Sequence, residues 1–392
     1  MSIKGLTLEE KKKKMEKLAA KINKEYGGKI VMTAAQAKDE GLLTIRRIET
    51  PSLEINNALY GGFGGIVELF GPPMSGKTSL MIETIKYNQD KDPTFMAAWL
   101  ETEGSITAEI LEDHGLDMSR VYIWDQADVG NAENALDISR GFLADGTVDL
   151  LVINSVAGLA TKTEIESDME KQIVGVPAKM MSKYFKVSLG HTMKNKVTMV
   201  VINQVRDKVG QMFGNPETTP GGRALGFYAF QRLRTSQVKL DAKDPIKSED
   251  GIKINVIVKK NRLTGKHNPY VTCSYYALFE SGIDSVVIMP QLLMDKGIMK
   301  VNGAHWYYYD DNNEVVTIDG IVGHFKSKGE FTNVLRENEA WREEMTKRLN
   351  GMKSNLSSEE IMQIKEEEKE LENDIGEIDK KLDIEMELFE DD

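Results

Sequence analysis

Short apolar runs alternate with amphipathic helical patterns through the middle of the chain. The predicted strands are Ile66–Phe70, Phe95–Leu100, Val121–Trp124, Leu150–Ile153 and Val197–Ile202. The predicted helices lie between them: the stretch after Gly76, Ile106–His114, Ala132–Leu143 and Pro177–Lys194. Strands that are apolar throughout are typical of a parallel sheet covered by helices on both faces. The pattern therefore predicts an α/β core with a mostly parallel central sheet flanked by helices.

Three strand-like runs follow without intervening helices: Phe227–Lys239, Ile252–Lys259 and Tyr270–Leu278. They predict an antiparallel extension of the same sheet. From about Ser281 the chain consists of shorter apolar pieces, including the aromatic run before a predicted hairpin turn at Asp311–Asn313. This change predicts a small C-terminal α/β domain.

The N-terminus has the pattern of one short helix. Thr7 and Glu10 have capping-box spacing, and Gly27-Gly28 would end the helix. An apolar stripe follows the cap at helical spacing: Met15, Leu18 and Ile22. A helix this short and basic cannot bury much by itself, so we expect it to dock on the main body or on a neighbouring subunit.

Composition narrows the class of protein. The chain has 392 residues, of which 41% are hydrophobic, with no apolar run long enough to cross a membrane. The opening MSIKGLTLEEKKKK lacks the apolar segment of a signal peptide, and Cys273 is the only cysteine. A single cysteine excludes an intrachain disulfide, and a buried thiol is its expected role. We expect a soluble protein of a reducing compartment, with no membrane partner.

The net charge of −12 lies entirely in the C-terminal tail. Residues 357–392 contain 16 acidic residues and 4 lysines, so the rest of the chain has equal numbers of acidic and basic residues. Such a tail competes with DNA for basic surface, recruits a basic protein partner, or simply keeps the protein soluble. An apolar stripe at helical spacing runs through it: Leu371, Ile375, Ile378, Leu382 and Met386. The tail could form a helix on a partner or stay loose.

The strongest chemical signal is GPPMSGKT, from Gly71 to Thr78, which fits the phosphate-binding pattern G-x-x-x-x-G-K-[ST]. Glycines let the backbone amides face a phosphate, Lys77 bridges phosphate oxygens, and the Thr78 hydroxyl binds magnesium. A predicted strand precedes the motif and a predicted helix follows it, as the chemistry requires. The sequence therefore predicts a nucleotide site with Mg²⁺.

Polar side chains end two of the predicted strands. Glu101 and Glu103 follow the second strand, where one of them could polarise an attacking water or both could form a solvated acidic turn. Asn154 ends the fourth strand, at a position where nucleotide-binding sheets often carry a magnesium-side aspartate. Its amide oxygen can accept the same hydrogen bond but lacks the charge. From the sequence alone, Asn154→Asp is expected to bind magnesium more tightly and to hydrolyse ATP faster.

Two longer segments make the assignment specific. NQVRDKVGQMFGNPETTPGGRALGFYAFQRL, from Asn203 to Leu233, and TEIESDMEKQIVGVPAKMMSKYF, from Thr163 to Phe185, closely resemble the bacterial RecA recombinases. The resemblance runs in order from the N-terminal helix to at least Cys273 and more loosely beyond. It implies a RecA-like P-loop ATPase core at residues 46–280, an N-terminal oligomerisation element at 1–45, a small C-terminal α/β domain at 281–353 and an acidic tail at 354–392.

The resemblance implies a role for each matching position. It implies a DNA-dependent ATPase that forms helical filaments on single-stranded DNA and exchanges strands with a homologous duplex. Glu103 resembles the general base, Gln204 the γ-phosphate sensor, and Lys260 and Arg262 the basic pair that reaches the ATP of an adjacent subunit. The nucleotide-holding residues would be Gly71, Pro72, Pro73, Met74, Ser75, Gly76, Lys77, Thr78 and Ser79, with Thr78 and Asn154 on the metal side.

Two loops, Glu166–Gly175 and Val205–Arg223, resemble the family's DNA-binding loops and are not expected to continue the sheet. Taken singly, apolar residues such as Met212 and Phe213 would be ordinary loop packing, but the match favours DNA contact. Backbone contact should make DNA binding sequence-tolerant and salt-sensitive. The candidate DNA-binding residues are Lys179, Ser182, Lys186, Arg206, Met212, Phe213, Gly221, Gly222 and Arg223.

The chain also departs from the family pattern. Ile110 lies near the place where the family stacks a tyrosine on adenine, the first loop carries Glu170, Lys171 and Gln172, and Asn154 replaces an aspartate. Such departures would suit a divergent recombinase, for example one encoded by a bacteriophage, in the bacterial cytoplasm or an infected cell. Two alternatives stay open: a weakly hydrolysing DNA-coating filament protein, which Asn154 favours, and a hexameric helicase on the same core.

Overall fold

A computed structural model describes residues 6–168, 170, 175–207, 217–242, 244–263, 271–310 and 313–351. The chain divides into two units, residues 1–289 and 290–392, and each is described by itself. Within the described residues, no helix has the length and apolar character needed to cross a membrane.

The helices of the described residues are α1 (Leu8–Tyr26), α2 (Ala34–Asp39), α3 (Leu53–Leu59), α4 (Lys77–Lys91), α5 (Ala108–Asp113), α6 (Gln126–Val129), α7 (Ala132–Asp145), α8 (Lys162–Ile165), α9 (Val176–Asn195), α10 (Ala224–Tyr228), α11 (Met289–Asp295), α12 (Lys328–Glu337) and α13 (Glu339–Gly351). The strands are β1 (Ile66–Gly71), β2 (Ala97–Glu101), β3 (Val121–Asp125), β4 (Leu150–Asn154), β5 (Thr198–Gln204), β6 (Arg206–Asp207), β7 (Glu217–Thr218), β8 (Gln231–Val238), β9 (Gly251–Asn261), β10 (Thr272–Leu278), β11 (Gly282–Ile283), β12 (Met299–Asn302), β13 (His305–Tyr308), β14 (Thr317–Ile318), β15 (Ile321–Val322) and β16 (His324–Phe325).

A nine-stranded sheet forms the centre of the first unit, in the order β11-β10-β9-β8-β1-β5-β4-β2-β3. Neighbours from β8 through β1, β5, β4 and β2 to β3 are parallel, and β9, β10 and β11 add to β8 in antiparallel register. The predicted α/β fold with a mostly parallel sheet, flanking helices and an antiparallel extension is confirmed.

One predicted boundary within this sheet is wrong. The strand expected over Phe227–Lys239 begins only at Gln231, because Ala224–Tyr228 forms α10 first. That short helix brings the chain back along the sheet, so β8 runs parallel to β1 and the antiparallel part begins at β9. Three aromatic residues at the helix end make the segment read as a strand, which hides the turn from the sequence pattern.

Both faces of the sheet are apolar, which explains the uninterrupted apolar runs. In β4, Leu150 and Val152 pack in one core cluster, and Leu151 and Ile153 pack in the other. The first cluster includes residues of α3 and α4, and the second includes residues of α7 and α9. This two-sided burial holds the carboxyl ends of β1, β5, β4 and β2 along one edge.

The predicted N-terminal helix forms but buries little. Thr7 and Glu10 make the reciprocal capping box, and Gly27 ends α1 in the left-handed conformation with φ 73°. Neither α1 nor α2 contains a buried residue. Leu8 and Met15 are 69% and 60% exposed, beside an 830 Å³ groove between the two helices. The apolar stripe of α1 is therefore exposed and available to another surface.

The second unit is built around aromatic side chains. A three-stranded sheet, β12-β13-β16, and a hairpin of β14 and β15 accompany α12 and α13. Its aromatic core consists of Trp306, Tyr308, Phe325, Phe331 and Trp341. Of the turn predicted at Asp311–Asn313, the first two residues lie outside the described residues, although Tyr309 and Val315 beside it form an antiparallel bridge. The acidic tail also lies outside the described residues.

Candidate nucleotide site and adjoining loops

The loop Gly71–Thr78 connects β1 to α4 at the carboxyl edge of the sheet. Gly76 precedes α4 with φ 75°, and Met74, with φ 58°, is 86% exposed. A Cβ atom on Gly71 would lie 2.2 Å from the carbonyl oxygen of Thr235, so β8 approaches too closely for any side chain there. Both glycines of the motif are therefore required by the backbone path.

Two residues that the sequence did not indicate support this loop. The hydroxyl groups of Ser75 and Thr235 lie 2.8 Å apart, and the Tyr275 hydroxyl donates to the carbonyl of Gly76 at 3.3 Å. Thr235 lies on β8 and Tyr275 on β10, each about 160 or more residues along the chain. No local signal in the sequence predicts contacts of this kind.

Lys77 is buried inside the loop. Its ammonium group donates to the carbonyls of Gly71 and Pro72 at 3.2 and 2.8 Å and to the Ser75 hydroxyl at 3.3 Å. Burial lowers the pKa of Lys77, and the nearby negative charge of Glu103 partly opposes that shift. A cation held in this way, at the N-terminus of α4, is suited to bind a phosphate group.

Glu101 is a fully engaged carboxylate at the end of β2. One oxygen accepts from the Trp99 indole at 2.9 Å and from the Asn154 amide at 3.1 Å. The other accepts from the backbone N–H groups of Glu103 and Ser105 at 2.8 and 3.2 Å and from the Ser105 hydroxyl at 3.3 Å. Glu101 is only 5% exposed, so the solvated-turn interpretation is wrong for it. Trp99 and Glu101 lie on the same face of β2, a pairing that the period of a strand could have suggested.

Glu103 is the exposed carboxylate of the pair. Its Oε1 accepts from the Gln204 amide at 2.9 Å and from the Ser155 hydroxyl. Gln204 ends β5 and Ser155 follows β4, so the ends of three strands meet at this oxygen. The structure thus brings together the predicted base and the predicted sensor. Ser155, which the sequence did not indicate as a site residue, follows β4 after a cis peptide bond, and its hydroxyl joins this strand end to them.

Asn154 is completely buried at the end of β4. Its Nδ2 donates to Glu101 and, at 2.9 Å, to the Ser105 hydroxyl. Its Oδ1 is buried without a hydrogen-bond partner among the described residues. A buried amide oxygen without a donor is unusual, and a ligand or ordered water is the ordinary explanation.

Lys260 and Arg262 lie near the end of β9, two strands away from β1. They lie at the edge of the sheet where β1 begins, opposite the phosphate loop. The Lys260 ammonium donates to the carbonyls of Gly226 and Phe227 in α10 at 2.7 and 3.1 Å. Burial, together with the positive charges of Arg262 and Arg232, lowers the pKa of Lys260 to about 8, against the opposing effect of Glu68. Within one chain, these hydrogen bonds of Lys260 are to α10 and not to the phosphate loop.

The candidate DNA residues of α9 share one exposed face. Lys179, Ser182 and Lys186 recur at three- and four-residue spacing, and all three are exposed. Arg206 and Arg223, at the two ends of the second loop, are also exposed. Four of these five residues are cationic, which favours contact with a phosphate backbone.

The second loop is tied to the protein at its base. Arg206–Asp207 pairs with Glu217–Thr218 as a short antiparallel ribbon, which the expectation of an irregular loop missed. Gly221 and Gly222 have φ 83° and 75°, and Cβ atoms there would lie 2.8 Å from Val156 and 3.0 Å from Ala178. These two glycines therefore have a conformational role as well as their predicted DNA-binding role. A cleft of 300 Å³ lies beside them, lined in part by Met180, Arg206 and Pro220.

The apolar candidates Met212 and Phe213 lie outside the described residues, as do Lys171 and Gln172 of the first loop. Ile110, near the expected adenine position, packs partly buried against the core cluster of β1 and α4.

Known proteins resemble this chain over most of its length. A family profile described as the RecA N-terminal domain matches residues 13–284. Protein RecA of Mycoplasma mobile is 32% identical over 88% of this chain and 99% of its own length. Protein RecA of Mycoplasmopsis pulmonis is 34% identical over 79% and 88%, and that of Lactobacillus johnsonii 35% identical over 78% and 81%. A crystal structure of the RadB recombinase is 20% identical, with a TM-score of 0.45, over 59% of this chain and 96% of that one.

Proposed function

The chain belongs to the RecA family and is an ATP-dependent recombinase with DNA-dependent ATPase activity, and we propose how its residues perform that activity. Lys77 and the loop amides hold the phosphates of ATP, and Glu103 polarises the attacking water. Gln204 exchanges its hydrogen bond with Glu103 for one with the γ-phosphate. This exchange draws the second loop, which begins at Val205, into its DNA-binding form.

The hydrogen bond between Gln204 Nε2 and Glu103 Oε1, at 2.9 Å, is the observation that carries this proposal. It joins the end of β2, beside the phosphate loop, to the strand that leads directly into the second loop. A nucleotide that breaks this bond has different contacts in the two loop states, which is the requirement for shifting their populations. The match to RecA proteins over most of the chain favours the recombinase interpretation over the DNA-coating and helicase alternatives.

The residues present fit a magnesium ion beside the phosphates. Among the described residues no cluster of three or more histidine, cysteine or acidic side chains could hold a metal by itself. The ion would be held by the Thr78 hydroxyl, by phosphate oxygens and, directly or through water, by the unpartnered Oδ1 of Asn154. When bound, magnesium neutralises charge on the phosphate oxygens.

DNA binding is proposed for the exposed face of α9 and for the ends of the second loop. The cations Lys179, Lys186, Arg206 and Arg223 contact phosphates, while Ser182, Gly221 and Gly222 adjoin the same surface. Single-stranded DNA and a homologous duplex are the proposed partners, in a cytoplasmic compartment. The acidic tail at 354–392 is proposed to bind a basic protein or to compete with DNA. The segment boundaries 1–45, 46–280, 281–353 and 354–392 remain predictions.

Binding of single-stranded DNA with and without a slowly hydrolysed ATP analogue tests this function. We expect the nucleotide to tighten binding by roughly tenfold or more in the unmodified chain, and to change nothing for Lys77→Ala. Lys86→Ala, which changes another lysine of α4 whose partner is Asp90, is the matched control and should behave like the parent. DNA binding by the unmodified chain that ignores the nucleotide would overturn the proposal.

The N-terminal element is proposed to form the contact between neighbouring subunits. Met15→Glu combined with Leu18→Glu places two charges on the exposed apolar stripe of α1, where these side chains are 60% and 49% exposed. We expect filaments to disappear while the melting temperature stays within about 2 °C of the parent, because surface changes cost little stability. Electron microscopy and light scattering with calorimetry measure both quantities. Lys13→Glu, a charge change on the same helix outside the stripe, is the control, and filaments formed normally by the double variant would refute this role.

A further inference from the structure

The ends of β2 and β4 carry a carboxylate and an amide that are bonded to each other. Glu101 is 5% exposed and Asn154 is fully buried. The Asn154 Nδ2 lies 3.1 Å from Glu101 Oε2 and 2.9 Å from the Ser105 hydroxyl. Only the nitrogen of an amide can donate to a carboxylate, so this contact fixes which way the Asn154 side chain is turned.

The fixed orientation leaves one atom of Asn154 unused. Both hydrogens of Nδ2 have acceptors, in Glu101 and Ser105, whereas Oδ1 has no donor among the described residues. The Glu101 carboxylate has four further donors from Trp99, Glu103 and Ser105, so it cannot turn away from Asn154 without losing them. The Asn154 amide is therefore oriented by Glu101, whose own position is fixed by its other hydrogen bonds.

We propose that Glu101 is a positioning residue that turns the Asn154 amide so that its Oδ1 serves as the acceptor on the magnesium side. This inference rests on the proposed nucleotide site. The two positions work as one unit with a single negative charge, located on β2, and a neutral acceptor, located on β4. Asn154 is then the residue that fits beside Glu101, and it is not simply a weakened aspartate.

The hydrogen-bonded pair of Glu101 and Asn154 changes the effect expected for Asn154→Asp. The sequence alone predicts tighter magnesium binding for this variant. In the structure, the new carboxylate would lose both donated hydrogen bonds and would place an oxygen about 3 Å from Glu101 Oε2, where like charges repel. We therefore expect the single variant to melt at least about 4 °C below the parent in the absence of nucleotide.

Glu101→Gln disturbs the same unit from the other side. Three donors contact Oε1, so the glutamine oxygen keeps that place and the nitrogen takes the place of Oε2, where the Trp99 indole loses its acceptor. The new nitrogen faces the Asn154 nitrogen, so the Asn154 amide turns over and presents its oxygen to it. That rotation removes Oδ1 from the magnesium side. Loss of such an orienting partner commonly reduces metal affinity 10–100-fold, so we expect the magnesium concentration for half-maximal nucleotide binding to rise about tenfold.

The combined variant Glu101→Gln with Asn154→Asp restores a donor opposite an acceptor. We expect it to recover about half or more of the loss in melting temperature and to return the magnesium midpoint to within about threefold of the parent. Calorimetry without nucleotide and titration of a fluorescent ATP analogue with magnesium supply the two readouts for the parent and three variants. Glu109→Gln, an exposed carboxylate in α5, is the matched control and should leave both values unchanged.

Additive shifts in melting temperature across the four proteins would overturn the pairing. An unchanged magnesium midpoint in Glu101→Gln, despite a lower melting temperature, would reduce Glu101 to a structural residue and overturn the positioning role. If Glu101→Gln does not fold, Ser105→Ala takes its place, because it removes one acceptor of the same Nδ2 and should raise the midpoint less. Failure of the proposed function is a separate result: the unmodified chain would not bind the analogue, or Lys77→Ala would bind it equally.

Discussion

Glu103→Gln is expected to lower the rate of DNA-dependent ATP hydrolysis by about 10²–10⁴-fold, the usual contribution of a positioned general base. Glu103 is the exposed carboxylate beside the phosphate loop, whereas Glu101 is occupied by its hydrogen bonds. A glutamine retains an oxygen that can accept from Gln204 and Ser155, so the contacts among the three strand ends can persist. The loss should therefore fall on turnover and leave nucleotide affinity within a few-fold of the parent.

Phosphate release measures turnover, and a fluorescent ATP analogue measures affinity. Because hydrolysis ends the DNA-gripping state in the proposed cycle, Glu103→Gln should also stay longer on single-stranded DNA after excess ATP is removed. Glu109→Gln controls for the loss of one surface carboxylate. Turnover of Glu103→Gln within threefold or so of the parent would assign the base to another residue.

The sequence pattern predicted the core well for a physical reason. Strands of a doubly covered parallel sheet, such as β4, are apolar at every position, and their ends must bear whatever polar groups the site uses. The strand end thus indicated Glu101 and Glu103, and the resemblance to the RecA recombinases singled out Glu103 and added Gln204 before their contact was known. The phosphate loop was predictable because its chemistry is contained in eight consecutive residues.

Other features depend on packing between distant residues. The two carboxylates Glu101 and Glu103 look alike along the chain. Only the hydrogen-bond donors around Glu101 show that it is the buried, structural carboxylate and Glu103 the exposed one. Likewise, Gly221 and Gly222 read as a flexible loop, although Val156 and Ala178 leave no room for larger residues. The start of β8 was misplaced because α10 is too short to have a helical period.

A mixture of two inactive variants is expected to regain activity, which provides the most demanding test of assembly. In a filament with head-to-tail contacts, one subunit would supply the phosphate loop and its neighbour would supply Lys260 and Arg262. Lys77→Ala removes the first contribution and Lys260→Ala with Arg262→Ala the second. Each protein alone should lose ATP hydrolysis on the order of 10³-fold, as expected for phosphate-binding cations that complete a site in trans.

The contacts of Lys260 support a role across the interface. Its ammonium group donates to carbonyls of α10, and burial, together with the positive charges of Arg262 and Arg232, lowers its pKa to about 8. A phosphate reduces the repulsion among these positive charges more effectively than another neutral acceptor does. In the single chain, its hydrogen bonds go to the uncharged carbonyls of Gly226 and Phe227.

In an equimolar mixture, roughly a quarter of the head-to-tail interfaces combine an intact phosphate loop with intact cations, so activity should approach that fraction of the parent. Fluorescence transfer between labelled variants must first establish that both enter the same filaments. Mixing either variant with a Lys77→Ala/Lys260→Ala/Arg262→Ala chain is the control. When the triple variant is mixed with Lys77→Ala, every phosphate loop in the filament is defective. When it is mixed with the Lys260→Ala/Arg262→Ala chain, the basic pair is defective in every subunit. Both control mixtures should therefore stay inactive. If the mixture is inactive although both variants share the same filaments, Lys260 and Arg262 do not complete the ATP site of a neighbouring subunit. They would then act within their own subunit or have no part in hydrolysis.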